Sequence, residues 1–327
     1  MTQHLRTPFT ERFGLRHPIA LAPMDIVSGG RLAGAVSAAG GLGLVGGGYG
    51  DAAWLDSAFR DAGNEHVGLG FITWSALERP GVVEHALARR PRALMVSFGD
   101  AEPLVDAART AGVPVLWQVQ RLAQARQAIA AGADVVVVQG QEAGGHGMDR
   151  GLVSLLPAVR DIAPEGQIIL AAGGIADGRG LAAALMLGAD GVLMGTRFWA
   201  SDEATGPDPR GVAAAKAAMT RLGGDDTVRS RVFDVARGAA WPRAYTGRVV
   251  ANAFLTRWHD RIDALKADPG PERARYAESA PDDLDTRVLI AGEALDLIHR
   301  IEPAGRIVET TAAEAAARLR RGTTLLA

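Results

Sequence analysis

The stretch "IILAAGGIADGRGLAAALMLGADGVLMGTRF", residues 168–198, decides the fold. It opens on an apolar run with the character of a buried parallel strand. It then passes a Gly-Gly turn, runs through an alanine-rich helical segment that stops at Gly188, and re-enters an apolar strand through "LGAD". Strand, helix and strand in this order make a βαβ unit with parallel strands. The same unit recurs along the chain. Eight apolar strand candidates begin near Ile19, Leu42, Val67, Ala93, Val115, Val135, Ile168 and Val192, at separations of 23, 25, 26, 22, 20, 33 and 24 residues. Between them lie amphipathic segments such as "LAQARQAIAAG", with Leu122, Ala125 and Ile129 on one helical face. Gly40, Gly63, Gly112, Gly132 and Gly188 stand where helices should end, because glycine accepts the left-handed conformation of a helix C-cap. Eight such units predict an α/β chain folded as a (β/α)8 TIM barrel. A doubly wound open sheet is the alternative.

After the eighth strand the pattern breaks. Residues 201–283 read as helices and loops, which predicts a helical cap inserted after strand 8. The barrel then comprises 1–200 and 284–327, the last stretch supplying the final outer helices.

The composition narrows the function. Of 327 residues, 48% are hydrophobic and 22% charged, which suits a folded domain with a large core. Lys plus Arg is 35 against 37 Asp plus Glu, so neither a nucleic-acid partner nor a membrane-surface partner is expected. The absence of cysteine excludes disulfides, thiolate nucleophiles and cysteine-ligated metal. The histidines show no H-E-x-x-H pattern or i, i+4 pairing, so no metal site is expected. The polar N-terminus lacks a signal-peptide core and no apolar run is long enough for a membrane helix, so the expected location is cytoplasmic.

In a barrel of this kind the chemistry lies at the C-terminal ends of the strands. Strand one ends in Ala22-Pro23-Met24. Strand six delivers Gln139 and the loop Gly144-Gly145-His146-Gly147, strand seven Gly173-Gly174, and strand eight Met194-Gly195-Thr196. The loops after strands seven and eight recurrently bind phosphate through backbone N–H groups. Glycines there allow close approach, and Thr196 adds a hydroxyl; the plain alternative is that they only make tight turns. His146 lies in the loop that accounts for the longest strand spacing, with glycines on both sides that leave its ring uncovered. A neutral imidazole at the mouth can accept a proton near pH 7; the plain alternative is a surface histidine. "GLGLVG" at 41–46 matches G-x-G-x-x-G, but its glycines fall inside a strand instead of between a strand and a helix, so it is not a dinucleotide fingerprint. The tryptophans read mostly as packing residues, with one or two available to line an apolar pocket.

"PIALAPM", "QGQEAGGHG", "AAGGIADGRGLAAALMLGADGVLMGTRF" and "RVVANAFLTRW" together resemble the nitronate monooxygenase family, formerly called 2-nitropropane dioxygenases. The resemblance runs from about Pro18 to the C-terminus. It implies an FMN-dependent TIM barrel that oxidises alkyl nitronates or nitroalkanes with O2 to a carbonyl compound and nitrite. It places Ala22, Pro23 and Met24 along the isoalloxazine ring and gives Gln139, Gly144 and Gly145 as flavin contacts. Gly173, Gly174, Met194, Gly195 and Thr196 become the phosphate cradle, and His146 the catalytic base over the flavin. One departure is Gly70, where many family members carry an asparagine that contacts flavin or substrate. The same outline also covers flavin enzymes that use NAD(P)H to reduce quinones or enoyl thioesters, and a flavin-binding protein without turnover is a third reading.

Overall fold

The computed structural model describes residues 5–325, so the first four residues of the polar N-terminus lie outside it. All eight expected strands form. They are β1 Ile19–Leu21, β2 Leu44–Gly48, β3 Gly68–Ile72, β4 Leu94–Ser97, β5 Val115–Val119, β6 Val135–Gln139, β8 Ile168–Ala172 and β9 Gly191–Met194. A short strand β7, Gly145–Gly147, lies outside the barrel. The barrel strands are all parallel, in the order β1-β9-β8-β6-β5-β4-β3-β2. A parallel bridge between Ala20 and Leu42 joins the two ends and closes the barrel, with Leu21 N donating to Leu42 O and Leu42 N to Ile19 O, each at 2.9 Å.

The strict alternation of a strand sorts these residues into two cores. Val135 and Val137 face the barrel axis with Leu44, Met95, Leu116 and Leu170. Val136 and Val138 face the surrounding helices with Ile19, Leu69, Val96 and Val192. The N-terminal helix Pro8–Phe13 closes the barrel at its N-terminal end, where Phe9 and Phe13 join the axial cluster. A Cβ at Gly191 would lie 2.7 Å from Pro18 O and 3.0 Å from the Phe9 ring, so that strand start must be glycine.

The expected helix ends are confirmed in detail. Gly40, Gly63, Gly112, Gly132 and Gly188 all have φ between 66° and 99°. The two "GAD" turns have one physical purpose. Asp134 Oδ2 accepts from Val115 N at 2.9 Å, and Asp190 Oδ2 accepts from Ile169 N at 2.8 Å. Each aspartate therefore ties the start of its own strand to the start of the neighbouring one.

The segment after β9 differs from expectation. It carries helices Pro209–Met219, Val232–Arg237, Ala253–Trp258 and Gly270–Glu278, but also two strands, β10 Thr227–Ser230 and β11 Thr246–Val250. These pair antiparallel, and β11 also pairs with β7, in the order β10-β11-β7. The sequence concealed this sheet because "TVRS" and "TGRVV" are short and one partner is a glycine loop; only long-range pairing makes them strands. Residues 284–303 also differ from expectation. Leu289, Ala291, Leu295 and Ile298 pack with Met219 and Val250, not in the barrel layer. The outer layer resumes with the helix Ala304–Thr323, which lies against helices Gly178–Met186 and Gly30–Ala38. Among the described residues no helix is long and apolar enough to cross a membrane.

The aromatic plug should matter to stability. Phe9 is completely buried, so Phe9→Ala should cost about 3–5 kcal/mol in chemical denaturation, the range for a truncated core phenylalanine. Met186→Ala, at a residue 77% exposed, should stay within about 0.5 kcal/mol of the parent.

Candidate active site

The C-terminal ends of the barrel strands open into a cavity roofed by the segment after β9. Ala22, Pro23 and Met24 line it from β1, Gln139, Gly144, Gly145 and His146 from β6 and its loop, Gly173 and Gly174 from β8, and Gly195 and Thr196 from β9. Met194, expected among them, does not. The alternation along β9 turns Leu193 inward and Met194 outward, where it packs between barrel and helices. Its contribution at the mouth is its carbonyl, which accepts from Ala22 N at 2.9 Å.

The glycine walls are built by close backbone approach. Gly173 and Gly174 have φ of 103° and 69°, a region that side chains strain to enter. A Cβ at Gly144 would lie 2.6 Å from Ala291 C, and one at Gly292 would lie 2.6 Å from Glu142 O. Two chain segments thus cross with no room for a side chain on either. Thr196 Oγ1 accepts from Gly292 N at 3.0 Å, which holds the returning segment to the loop after β9 and leaves the hydroxyl hydrogen available. The Glu142 carboxylate, also on the wall, is engaged by Leu152 N at 3.0 Å, at the start of the helix Leu152–Ile162.

His146 does not project from a free loop. It belongs to β7 and pairs opposite Gly247 on β11. Gln139 braces it from the barrel side. The Gln139 amide donates to His146 O at 3.2 Å, and its oxygen accepts from Gln120 at 2.8 Å and Gln118 at 3.1 Å. From the other side, Arg229 and Arg248 both donate to Gln141 O, at 3.1 and 2.9 Å. Arg248 is neutralised by Glu293 at 2.7 Å. Arg229 is pushed down to about 10 by burial and by Arg248 beside it.

The His146 ring lies flat on the Trp241 indole, with centroids 3.4 Å apart and planes 4° from parallel. Its Nε2 lies 2.9 Å from Asp234 Oδ1. Both side chains are nearly buried, at 11% and 8% exposure. Burial lowers the imidazole pKa below 6.5; Asp234 opposes this, while Arg237 and Arg229 add to it. The ring is therefore neutral at pH 7 and able to accept a proton.

Three further cavity residues, Trp241, Tyr49 and Asp25, and the carboxylate of Asp234 behind His146 were not legible as site residues in the sequence. Trp241 and Asp234 come from a segment read only as cap, and no local signal ties them to His146. Tyr49 receives the Trp241 indole N–H on its hydroxyl at 3.0 Å. Asp25 lines the cavity with φ of 49°, a left-handed backbone on a residue with a side chain. Gly46 and Gly48 make room for it: a Cβ on either would lie about 2 Å from Asp25 atoms, at 2.0 Å from its O and 1.9 Å from its Oδ1. Burial raises the Asp25 carboxyl pKa, offset in part by Arg237. Of the glycine run that mimicked a nucleotide fingerprint, Gly46 thus serves this close approach, while Gly41 and Gly43 make room for Ile19 O and Ala33 O. Gly70 has an equally local cause, since a Cβ there would lie 2.3 Å from Pro23 Cγ. No asparagine fits at that position while Pro23 stays where it is.

A closed (β/α)8 barrel with a histidine, aromatic rings and glycine walls at its C-terminal mouth defines a barrel enzyme. The sequence pattern described as nitronate monooxygenase matches residues 6–64 and 75–314. The chain belongs to the nitronate monooxygenase family and is an oxidoreductase. The unmatched interval, 65–74, contains β3 and Gly70. The chain is 32% identical to a nitronate monooxygenase of Neurospora crassa over 360 residues, covering 94% of this chain and 91% of that one. Among solved structures, FabK of Thermotoga maritima superposes with a TM-score of 0.83 at 27% identity, over 98% of this chain and 100% of that one. Nitroalkane oxidase of Streptomyces ansochromogenes gives 0.79 at 28%, over 96% and 99%.

The strain at Asp25 has a measurable consequence. A left-handed backbone on a non-glycine costs about 1–3 kcal/mol, and the raised carboxyl pKa means that folding also opposes its charge. Sign follows from linkage. A carboxyl raised on folding destabilises once pH exceeds its unfolded value near 3.8. Asp25→Gly removes both costs, against a greater loss of chain entropy. It should raise the thermal midpoint at pH 7 while lowering turnover. A lower midpoint with unchanged turnover would show that Asp25 is a stabilising residue and not a strained functional one.

Proposed function

We propose that this cavity binds FMN and that the protein oxidises alkyl nitronates with O2, using His146 as base when the substrate arrives as a neutral nitroalkane. The observation that carries this reading is His146 itself: a nearly buried, neutral imidazole, fixed by β7 and Gln139 on the wall of a cavity that also presents the glycine loops after β8 and β9. Those loops suit the phosphate of FMN. Gly173 and Gly174 expose backbone without side chains. Gly195 lines the cavity beside them, and a Cβ there would already stand in contact with Met24 Sδ at 3.4 Å and Ala22 Cβ at 3.6 Å. No second nucleotide-phosphate motif favours FAD. At the barrel mouth, Ala22, Pro23, Met24, Gln118 and Gln139 offer an apolar wall with amide groups beside it, which suits a flat heterocycle with polar edges.

When bound, FMN supplies the redox chemistry by which a nitronate and O2 become a carbonyl compound and nitrite. The chain does the rest. Trp241, Tyr49 and Phe98 keep water from the substrate space. His146 takes the α-proton of a neutral nitroalkane, which converts it to the electron-rich nitronate. The same barrel could accept electrons from NAD(P)H for a quinone or enoyl thioester, and anaerobic mixing separates the two. Bleaching of the yellow holoprotein by nitronate alone supports the oxidase reading. Bleaching by NADH or NADPH and not by nitronate replaces it with the reductase reading.

His146→Asn should keep FMN and fold. It should lose about 10²- to 10⁴-fold in activity on neutral nitroalkanes, the range for a positioned general base, and far less on pre-formed nitronates. Equal loss on both would assign His146 to orientation or charge stabilisation. The pH profile follows from the direction of the shift. Because the imidazole pKa lies below 6.5, kcat/KM on a neutral nitroalkane should hold down to pH 6.5 and fall only below it; a fall already evident above 6.5 contradicts the assignment. The phosphate site has its own test. Gly174→Leu places a side chain at φ of 69° with Glu142 Cβ only 3.3 Å from the new Cβ. The variant should fold yet release FMN on gel filtration, and wild-type retention would reduce these glycines to turn residues.

A further inference from the structure

We infer that Asp234 is a positioning residue for His146: it accepts the Nε2–H of the imidazole, fixes that tautomer, and leaves Nδ1 as the atom that receives the substrate proton. The inference rests on the proposed reading of His146 as a base. It is carried by the 2.9 Å contact between Nε2 and Asp234 Oδ1. A carboxylate only accepts, so the nitrogen facing it must carry the hydrogen. The second oxygen, Asp234 Oδ2, is buried without a hydrogen-bond partner. The charge on Asp234 is therefore not shared with another donor, and His146 is its hydrogen-bond partner.

The surroundings make that charge necessary. The charged groups facing His146 are Asp234 and Arg237, both on the helix Val232–Arg237, and Arg229 on β10. One face of the ring lies on the neutral indole of Trp241, and the Phe98 ring stands edge-type to it with centroids 6.5 Å apart. Two cations and a desolvated pocket oppose an imidazolium, and Asp234 is the anion that favours it. A proton taken at Nδ1 would otherwise produce a cation in a site that rejects one. Asp234 also arrives on the segment added after β9, as do Trp241 and the β11 partner of His146. The base is assembled from two parts of the chain, and the added segment sets its protonation.

The test uses the FMN-loaded protein with 15N-labelled histidine. The His146 resonances are assigned by their loss in His146→Asn. In the parent protein NMR should show Nε2 protonated and Nδ1 bare. Asp234→Asn offers an N–H to Nε2, so the proton should move to Nδ1 and the imidazole pKa should fall further. Turnover of a neutral nitroalkane should then drop about 10²- to 10³-fold, as expected when a base is held in the wrong tautomer. Turnover of the pre-formed nitronate should stay within about threefold, and Asp234→Glu should restore part of the loss. A parent His146 protonated on Nδ1 overturns the inference even if the variant does not fold. So does an Asp234→Asn protein with parental tautomer, pKa and nitroalkane turnover. Failure of the parent to oxidise nitronates would instead overturn the proposed function, while the tautomer measurement still decides the role of Asp234.

Discussion

Three residue pairs between β7 and β11 hold this site together. Gly145 opposite Arg248, His146 opposite Gly247 and Gly147 opposite Thr246 turn a barrel loop into the edge strand of a second sheet. Without that pairing, the loop after β6 would be a glycine-rich excursion with high backbone entropy. With it, the direction of the His146 side chain is set by strand alternation and not by loop conformation. The pairing also explains why so many polar groups converge on a few residues. Arg229 and Arg248 both grip Gln141 O, Glu293 N donates to Glu142 O, and Gln139 grips His146 O, so the strand is fixed from the barrel below and the added segment above.

Within that frame, burial outweighs charge. A carboxylate 2.9 Å away would ordinarily raise a histidine pKa. Here desolvation is the larger influence, with Arg237 and Arg229 on the same side, and the shift is downward. Trp241 contributes to the desolvation, since its indole lies flat on one face of the imidazole. Such a stack contributes about 0.5–1.5 kcal/mol beyond the area it buries. The hydrogen bond from its Nε1 to Tyr49 OH fixes the indole in turn. The neutral state of His146 is thus a property of three segments, those around residues 49, 146 and 241.

The glycines of this chain fall into two physical kinds. Those at helix ends, such as Gly112 and Gly132, supply a left-handed turn and face little else. Those near the mouth, such as Gly46, Gly70, Gly144 and Gly292, permit contacts that a single methyl group would forbid. The second kind is the costlier one to build, because each lets backbone or ring approach backbone directly. At Gly46 and Gly48 it accommodates Asp25, which is held in a strained conformation. Backbone strain collecting beside a cavity is the pattern expected where a site, and not stability, sets the geometry.

The sequence alone determined the barrel. Strand periodicity and helix-ending glycines are local signals, repeated eight times, and each repeat is read within about thirty residues of itself. The same locality made the mouth residues legible. A residue at the C-terminal end of a barrel strand must reach the cavity wherever the strand alternation points it inward, which holds for Gln139 and Gly195 and fails for Met194, while Gly173 reaches it from the turn after β8. What the tertiary structure alone decided is the partnership of His146. Asp234 lies 88 residues away and Trp241 still further along. Both sit in a segment whose strands are too short and too polar to be recognised before their partner is known. A strand made by long-range pairing leaves no period in its own sequence. The environment that sets the charge on His146 therefore became visible only when the added segment was seen folded onto the barrel.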